Sequence, residues 1–185
     1  KYPVPDVLTA LDGSRIATAE EWQQKRRPEL LGLYAGEVYG KTPQKEIPVR
    51  YETLAEDKEV HGGKGLMRQV ALHIGEGDKA LEAHLLIYLP KSALRNPVPV
   101  FSLLNFWGNH AVSGDPGIVL NPGWFRDNKD KGIVDHKATE ASRGNSESRY
   151  PVEAILDRGY ALATMYYGDI DPDFDDGFGN GLQPL

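Results

Sequence analysis

Hydrophobic positions along this chain change their spacing from one stretch to the next, and each spacing predicts a different element. Between Thr18 and Gly40 they recur at helical spacing, with Leu30, Leu31, Tyr34 and Val38 on one face. Thr18 followed three residues later by Glu21 is a capping-box pattern and starts a helix ahead of Trp22. Pro28 removes a backbone donor from the interior, so the pattern predicts two short helices or one kinked helix, ended by Gly40. Trp22 and Tyr34 read as core packing, with a sugar-stacking platform as the alternative. Strand-like segments follow at 47–54, 65–74 and 80–89, the last two forming a hairpin. Met67, Val70, Leu72 and Ile74 do not alternate strictly, which leaves the register of that strand open and admits a bulge.

The organising stretch is the apolar run Val98 to Leu104, which breaks into the polar, glycine-containing sequence Asn105-Phe106-Trp107-Gly108-Asn109-His110. Too short for an ordinary helix and too continuously apolar for a half-exposed strand, it reads as a central parallel strand buried on both faces. Ligands bind beyond the carboxyl ends of such strands, so residues 105–110 fall on the functional rim. Residues 151–159 read as a short helix with Ser148 as its cap, Pro151 in its first turn and Gly159 closing it. A second apolar strand at 160–166 completes a βαβ unit, and it too ends in a polar loop on the same rim. Between the two lies the long polar insert 111–148, whose attachment at the carboxyl end of a strand makes it a wall of the site.

Composition narrows the classes. With 185 residues and 40% hydrophobic content, the chain fits one domain or a large piece of one. Its net charge of −6 and the absence of any basic run longer than Lys25-Arg26-Arg27 argue against nucleic acid as partner. No apolar stretch approaches the length needed to span a bilayer, and no charged-then-apolar leader opens the chain. Lys1 in place of methionine predicts that the chain begins after a cleavage or an artificial boundary. Without cysteine there is no disulfide, thiol nucleophile or Cys-ligated zinc.

The chemistry-bearing candidates are few. His73 and His84 fall on strands and read as hydrogen-bonded structural residues. His110 differs because the preceding strand aims it at the rim. In the α/β-hydrolase plan, a loop at this place donates a backbone N–H to the oxyanion hole and needs a small residue there, which Gly108 supplies. Equally, Asn109 and His110 would cap the loop by hydrogen bonding, and both readings stand. The aspartates 169, 171, 173, 175 and 176 resemble the start of a calcium loop, but Phe174 replaces its sixth-position glycine and Asn180 its twelfth-position glutamate. A turn-forming acidic loop is the simpler reading, and no pair among the five stands out as glycosidase carboxylates. No serine lies in Gly-x-Ser-x-Gly.

Four ordered motifs carry a resemblance: Leu104 to His110, Ser148-Arg149-Tyr150-Pro151-Val152-Glu153, Arg158-Gly159-Tyr160, and Tyr166 to Asp173. From about Pro5 to its last residue the chain resembles the amino-terminal half of bacterial glucuronoyl esterases, carbohydrate esterase family fifteen. The resemblance implies the amino-terminal part of an α/β-hydrolase fold, with a mixed sheet whose first strands are antiparallel and which contains a βαβ unit. It implies one partial domain, a helical lead at 1–45 and a sheet part at 46–185, with the nucleophile half absent. The implied reaction is hydrolysis of the ester between 4-O-methylglucuronic acid of glucuronoxylan and lignin alcohols. The family's serine sits in a Gly-Cys-Ser-Arg-x-Gly-Lys elbow after the next strand, followed by the acid and the histidine, and this chain stops at Gln183-Pro184-Leu185 before any of them. No catalytic residue therefore falls in this chain, and alone it is expected to be inactive. Asn105, Trp107, Gly108, Asn109, His110 and Asp169 are its oxyanion-side or substrate-rim candidates. No cofactor or metal is implied; the partners are the lignin–carbohydrate ester and the missing carboxyl-terminal half, with neither nucleic acid nor membrane. The family's habit predicts a secreted or periplasmic protein, and Pro28 departs from its usual helix. The alternative from another class is a non-catalytic carbohydrate- or calcium-binding module.

Overall fold

In the computed structural model, which describes residues 2–42, 44–177 and 179–185, the capping box at Thr18 forms in full. The Glu21 N–H donates to the Thr18 hydroxyl at 3.1 Å, and the Thr18 N–H donates back to the Glu21 carboxylate at 3.2 Å. The helical path then runs without a break through α1 (Ala19–Glu21), a π-helical stretch Trp22–Arg26 and α2 (Arg27–Glu37). Pro28 does not divide it. The wider π turn, in which the Arg27 N–H reaches Trp22 O, puts Pro28 in the first turn of α2, where its missing donor costs nothing. Gly40 follows the end of α2 at φ 75°.

The chain divides into two compact units, Lys1–Glu46 and Ile47–Leu185. Within the first, α2 buries none of its residues, and Leu31, Tyr34 and Val38 stand more than half exposed, so the expected core face of this helix is uncovered. Arg26 is buried instead, its Nε–H donating to Val7 O at 2.9 Å and its head pairing with Glu29 at 3.0 Å.

The second unit is built on a five-stranded sheet of order β1-β2-β3-β7-β4. Its strands are β1 (Val49–Glu59), β2 (Gly65–Ile74), β3 (Leu81–Pro90), β4 (Val100–Asn105) and β7 (Ala161–Tyr166). The first three and β7 pair antiparallel in turn, while β4 and β7 pair parallel. β1 is longer than the apolar pattern predicts because its charged second half still pairs with β2, where Arg68 donates to Glu56 at 2.7 Å. The bulge lies in β1, between Thr53 and Ala55; β2 keeps one register against β3 from Gly65 to Ile74. The βαβ unit closes through α3 (Val152–Asp157), capped by Pro151 rather than Ser148, which sits in a preceding 3₁₀ turn.

One expectation is reversed. β4 is not buried on both faces; it ends the sheet order, and Val100, Phe101 and Leu104 are about half exposed. Among the described residues only β7 pairs with it. The opposite end of the sheet's core is dry: Met67, Leu86, Tyr88, Val112, Ile118, Val152, Leu156 and Leu162 form one buried cluster.

Val112 and Ile118 belong to the insert 111–148, which is ordered rather than structureless. It contains 3₁₀ turns at Lys129–Lys131 and Glu140–Ser142 and a short ladder of β5 (Ile133–Val134) with β6 (Lys137–Ala138). Arg143 ties it together, donating to Asp115 O at 3.0 Å and Ile118 O at 2.7 Å while pairing with Glu140 at 2.8 Å. No helix among the described residues is long and apolar enough to cross a membrane.

Because Leu86 is fully buried at the middle of this cluster, Leu86→Ala should cost about 2–5 kcal/mol. Urea unfolding measures it; a loss under about 1 kcal/mol is too small for a filled core position and would contradict the packing described.

Candidate functional site

β3 and β7 stay paired from Tyr88↔Leu162 to Leu85↔Met165 and then separate, so the peptide group of His84 has no strand partner on that side. Side chains from the rim take over. The His84 N–H donates to Asp169 Oδ2 at 3.0 Å, and His84 O accepts from the Asn109 amide at 2.7 Å. Asn109 in turn accepts from Asn105 Nδ2 at 2.7 Å, which also reaches Thr164 Oγ1 at 3.2 Å. Asp169 accepts from the Asn121 amide at 2.9 and 3.0 Å, and the Asn121 N–H points at His110 Nδ1 at 3.4 Å. The ends of β4 and β7, the loop after β4 and the flank of β3 are thus joined by one buried polar network.

Four of the six rim residues singled out from the sequence, Asn105, Asn109, His110 and Asp169, are members of this network, and all four are buried. Burial, opposed by its hydrogen bonds from His84 and Asn121, pushes the Asp169 carboxyl above its ordinary range. Burial, helped by the Arg143 charge, lowers His110 to about 4, so its imidazole is neutral at pH 7. With Nδ1 accepting from Asn121, the ring proton belongs on Nε2, which has no hydrogen-bond partner and lies in a ring edge-on to Phe125 at 5.9 Å.

Gly108 is explained by the same packing. At φ 88° a Cβ there would fall 2.5 Å from the His110 ring and 3.0 Å from Phe125, so the space beside its Cα is filled by His110 rather than left open for an approaching carbonyl. Trp107 is half-buried against a second cluster of Phe125, Ile133 and Tyr166. Next to it the exposed Phe106 ring stacks on Tyr167 at 4.9 Å, and Phe125 stacks on Tyr166 at 4.3 Å. A pocket of about 60 Å³ opens among these rings and Arg126.

Asn121, Thr164, Arg126 and Tyr167 were not evident as site residues. Only Asn121 carried a signal, the turn sequence Asn121-Pro122-Gly123, whose Gly123 N–H donates to Asn121 Oδ1 at 2.7 Å. His73 and His84 both face Glu82, at 3.4 and 2.8 Å. The acidic loop is not a row of equivalent ligands. Asp169 turns inward, Asp173 pairs with Arg126 at 3.1 Å, and Asp175 and Asp176 accept from Gly177 and Gly179 N–H groups. Among the described residues no group of three or more His, Cys, Asp or Glu is arranged to hold a metal ion. Ser142 and Ser146 spend their hydroxyls on Thr139 O and Asn145 Oδ1.

No family model matches this sequence. A curated relative, carbohydrate esterase MZ0003 from an unknown prokaryotic organism, is 42% identical over 174 residues, covering 94% of this chain. Among solved structures, the glucuronoyl esterase from Solibacter usitatus superposes over 100% of this chain with a TM-score of 0.83 and 40% identity. A promiscuous family-fifteen esterase from a marine bacterial metagenome does so with a TM-score of 0.81 and 40% identity. The chain spans 40% of the curated relative and 46% and 45% of the two structures. Its five-stranded mixed sheet is the amino-terminal part of their α/β-hydrolase fold.

The buried imidazole makes a pH prediction. A base whose folded pKa is depressed contributes stability that is present above its unfolded value of 6.5 and lost as pH falls through about 4. Stability should therefore decline by about 3 kcal/mol between those limits on this account, and the decline should flatten in His110→Gln when unfolding is followed at a series of pH values. An equal slope in both proteins would contradict a buried neutral His110. Gly108→Val should lower the melting temperature sharply, because neither φ nor space accepts a side chain; a wild-type melting temperature would show that the His110 ring is not seated there.

Proposed function

We propose that this chain, matching in sequence and fold the amino-terminal half of a family-fifteen carbohydrate esterase, works as part of an enzyme that cleaves the ester between 4-O-methylglucuronic acid of xylan and lignin alcohols. The observation that carries the reading is the 40% identity that extends, with a TM-score of 0.83, over all of this chain and 46% of a glucuronoyl esterase. In this reading the chemistry is serine acyl transfer. A serine attacks the ester carbonyl, a histidine takes its proton, a carboxylate orients the histidine, and an oxyanion hole built partly by the arginine next to the serine holds the developing charge. All of those residues belong to a carboxyl-terminal half.

The share assigned to this chain is the rim. Trp107 and the insert 111–148 face sugar or aromatic alcohol, residues 105–110 support the oxyanion side, and Asp169 braces the loops through His84 and Asn121. The open edge of β4 supports the same reading. Its apolar residues are half exposed on a strand of the parallel pair, and such an edge recruits another strand. A secreted or periplasmic location agrees with a polymeric substrate.

Three preparations test this: the chain alone, a carboxyl-terminal half alone, and both together, each given a methyl ester of 4-O-methylglucuronic acid. Hydrolysis is expected only where both halves are present, unaffected by EDTA. Turnover by the chain alone, or none by the complete protein, would overturn the assignment. Taken alone the chain should also self-associate through the β4 edge, and a monodisperse monomer of 20.5 kDa with exchange-protected amides along β4 would contradict that edge's role.

A further inference from the structure

Beyond the ester-cleaving rim, we propose that the cleft beside Phe174 is a subsite for neutral sugar rings of the polysaccharide, selecting against uronic acid. This rests on the esterase reading for the identity of the polymer, but not for the existence of the site.

The cleft has a volume of about 400 Å³ and runs between Arg126 and residues 171–176. Its apolar walls are Phe174, 44% exposed, with Tyr167 and Pro172. These rings are held from behind. Phe174 leans on Trp124 at 5.0 Å, and Trp124 stacks nearly flat on His136 at 5.0 Å. Tyr167 is fixed by its stack on Phe106. His136 itself lies in a two-residue hairpin turn, Asp135-His136, in which both residues have positive φ, 50° and 60°. Positions of that kind favour Asn or Gly, so backbone strain is being spent where the outcome is a ring placed against Trp124.

A pyranose offers an apolar C–H face that packs on an aromatic ring and a belt of hydroxyls that need donors and acceptors at its margin. Arg126 and Asp173, paired at 3.1 Å beside Phe174, supply both. The rings make the site; the charge decides which sugars enter. Four aspartates against one arginine line the cleft, and that field opposes a carboxylate while leaving a neutral sugar unaffected. The neighbouring pocket of about 60 Å³ shares Arg126 and Tyr167 with the cleft but is lined chiefly by aromatic rings, without the belt of acceptors.

The test is titration of the full-length protein with xylotetraose and, separately, with glucuronic acid, by calorimetry and by the NMR signal of the Trp124 indole. Xylotetraose should bind and shift that signal, and glucuronic acid should do neither. Phe174→Ala should weaken xylotetraose by about fivefold or more, the scale of one aromatic stacking contact, and Phe174→Tyr should restore it. The proposal is overturned if xylotetraose does not bind, if the Trp124 signal does not move, or if glucuronic acid binds as well. An affinity unchanged in Phe174→Ala overturns it too. Hydrolysis of a small glucuronoyl ester by the same protein tests the esterase reading separately: its failure leaves the subsite standing, and silence toward xylotetraose leaves the esterase reading standing.

Discussion

Everything on the rim depends on how one peptide group is satisfied. Where β3 leaves β7, a buried strand would expose the N–H and C=O of His84 to an environment without water, at a cost of about 1–3 kcal/mol for each group left unmade. Asp169 and Asn109 remove that cost by reaching in from the ends of β7 and β4. Because they come from different strands, satisfying His84 also fixes the two loop origins relative to each other. Asn121 extends the same constraint into the insert, and His110, held neutral by burial, fills the space that Gly108 leaves.

The two edges of the sheet tell different stories. At β1 the outer strand is charged, bulged and largely exposed along its length, the features that discourage further pairing. At β4 the outer strand is short, apolar and parallel to its neighbour, with no charge to blunt it. Parallel strands ordinarily lie inside sheets with both faces covered. The contrast is why the sheet reads as continuing past β4, and why a rim formed from the ends of β4 and β7 reads as half of a site.

Much of this was legible in the sequence because it rests on period and punctuation. The apolar run into Asn105 located β4 and its loop; the Thr18 and Glu21 spacing located the helix start; and Gly108 and His110 were marked as special by standing just past a strand end. What escaped was set by partners distant in the chain. β4 looked buried on both faces because apolarity records the surroundings a strand is built for, not the ones present. The helix survived Pro28 because a π turn moved the proline to a first-turn position, which no local count reveals. His110 and Asp169 could be named but not placed, since their burial depends on Asn121, which lies 11 and 48 residues away from them. Arg126 and Phe174 looked like ordinary loop residues until the fold brought the insert against the acidic loop.

The central claim, that rim side chains complete β3 where β7 ends, is most directly tested at the His84 amide by hydrogen exchange. The account predicts protection like that of a strand interior in the native protein. In Asp169→Ala it predicts exchange at His84 faster by about tenfold or more, while Leu86, held by the β3–β7 ladder, changes only as far as global stability does. A His84 amide that exchanges as freely as an exposed turn in the native protein, or that is indifferent to Asp169→Ala, would contradict it.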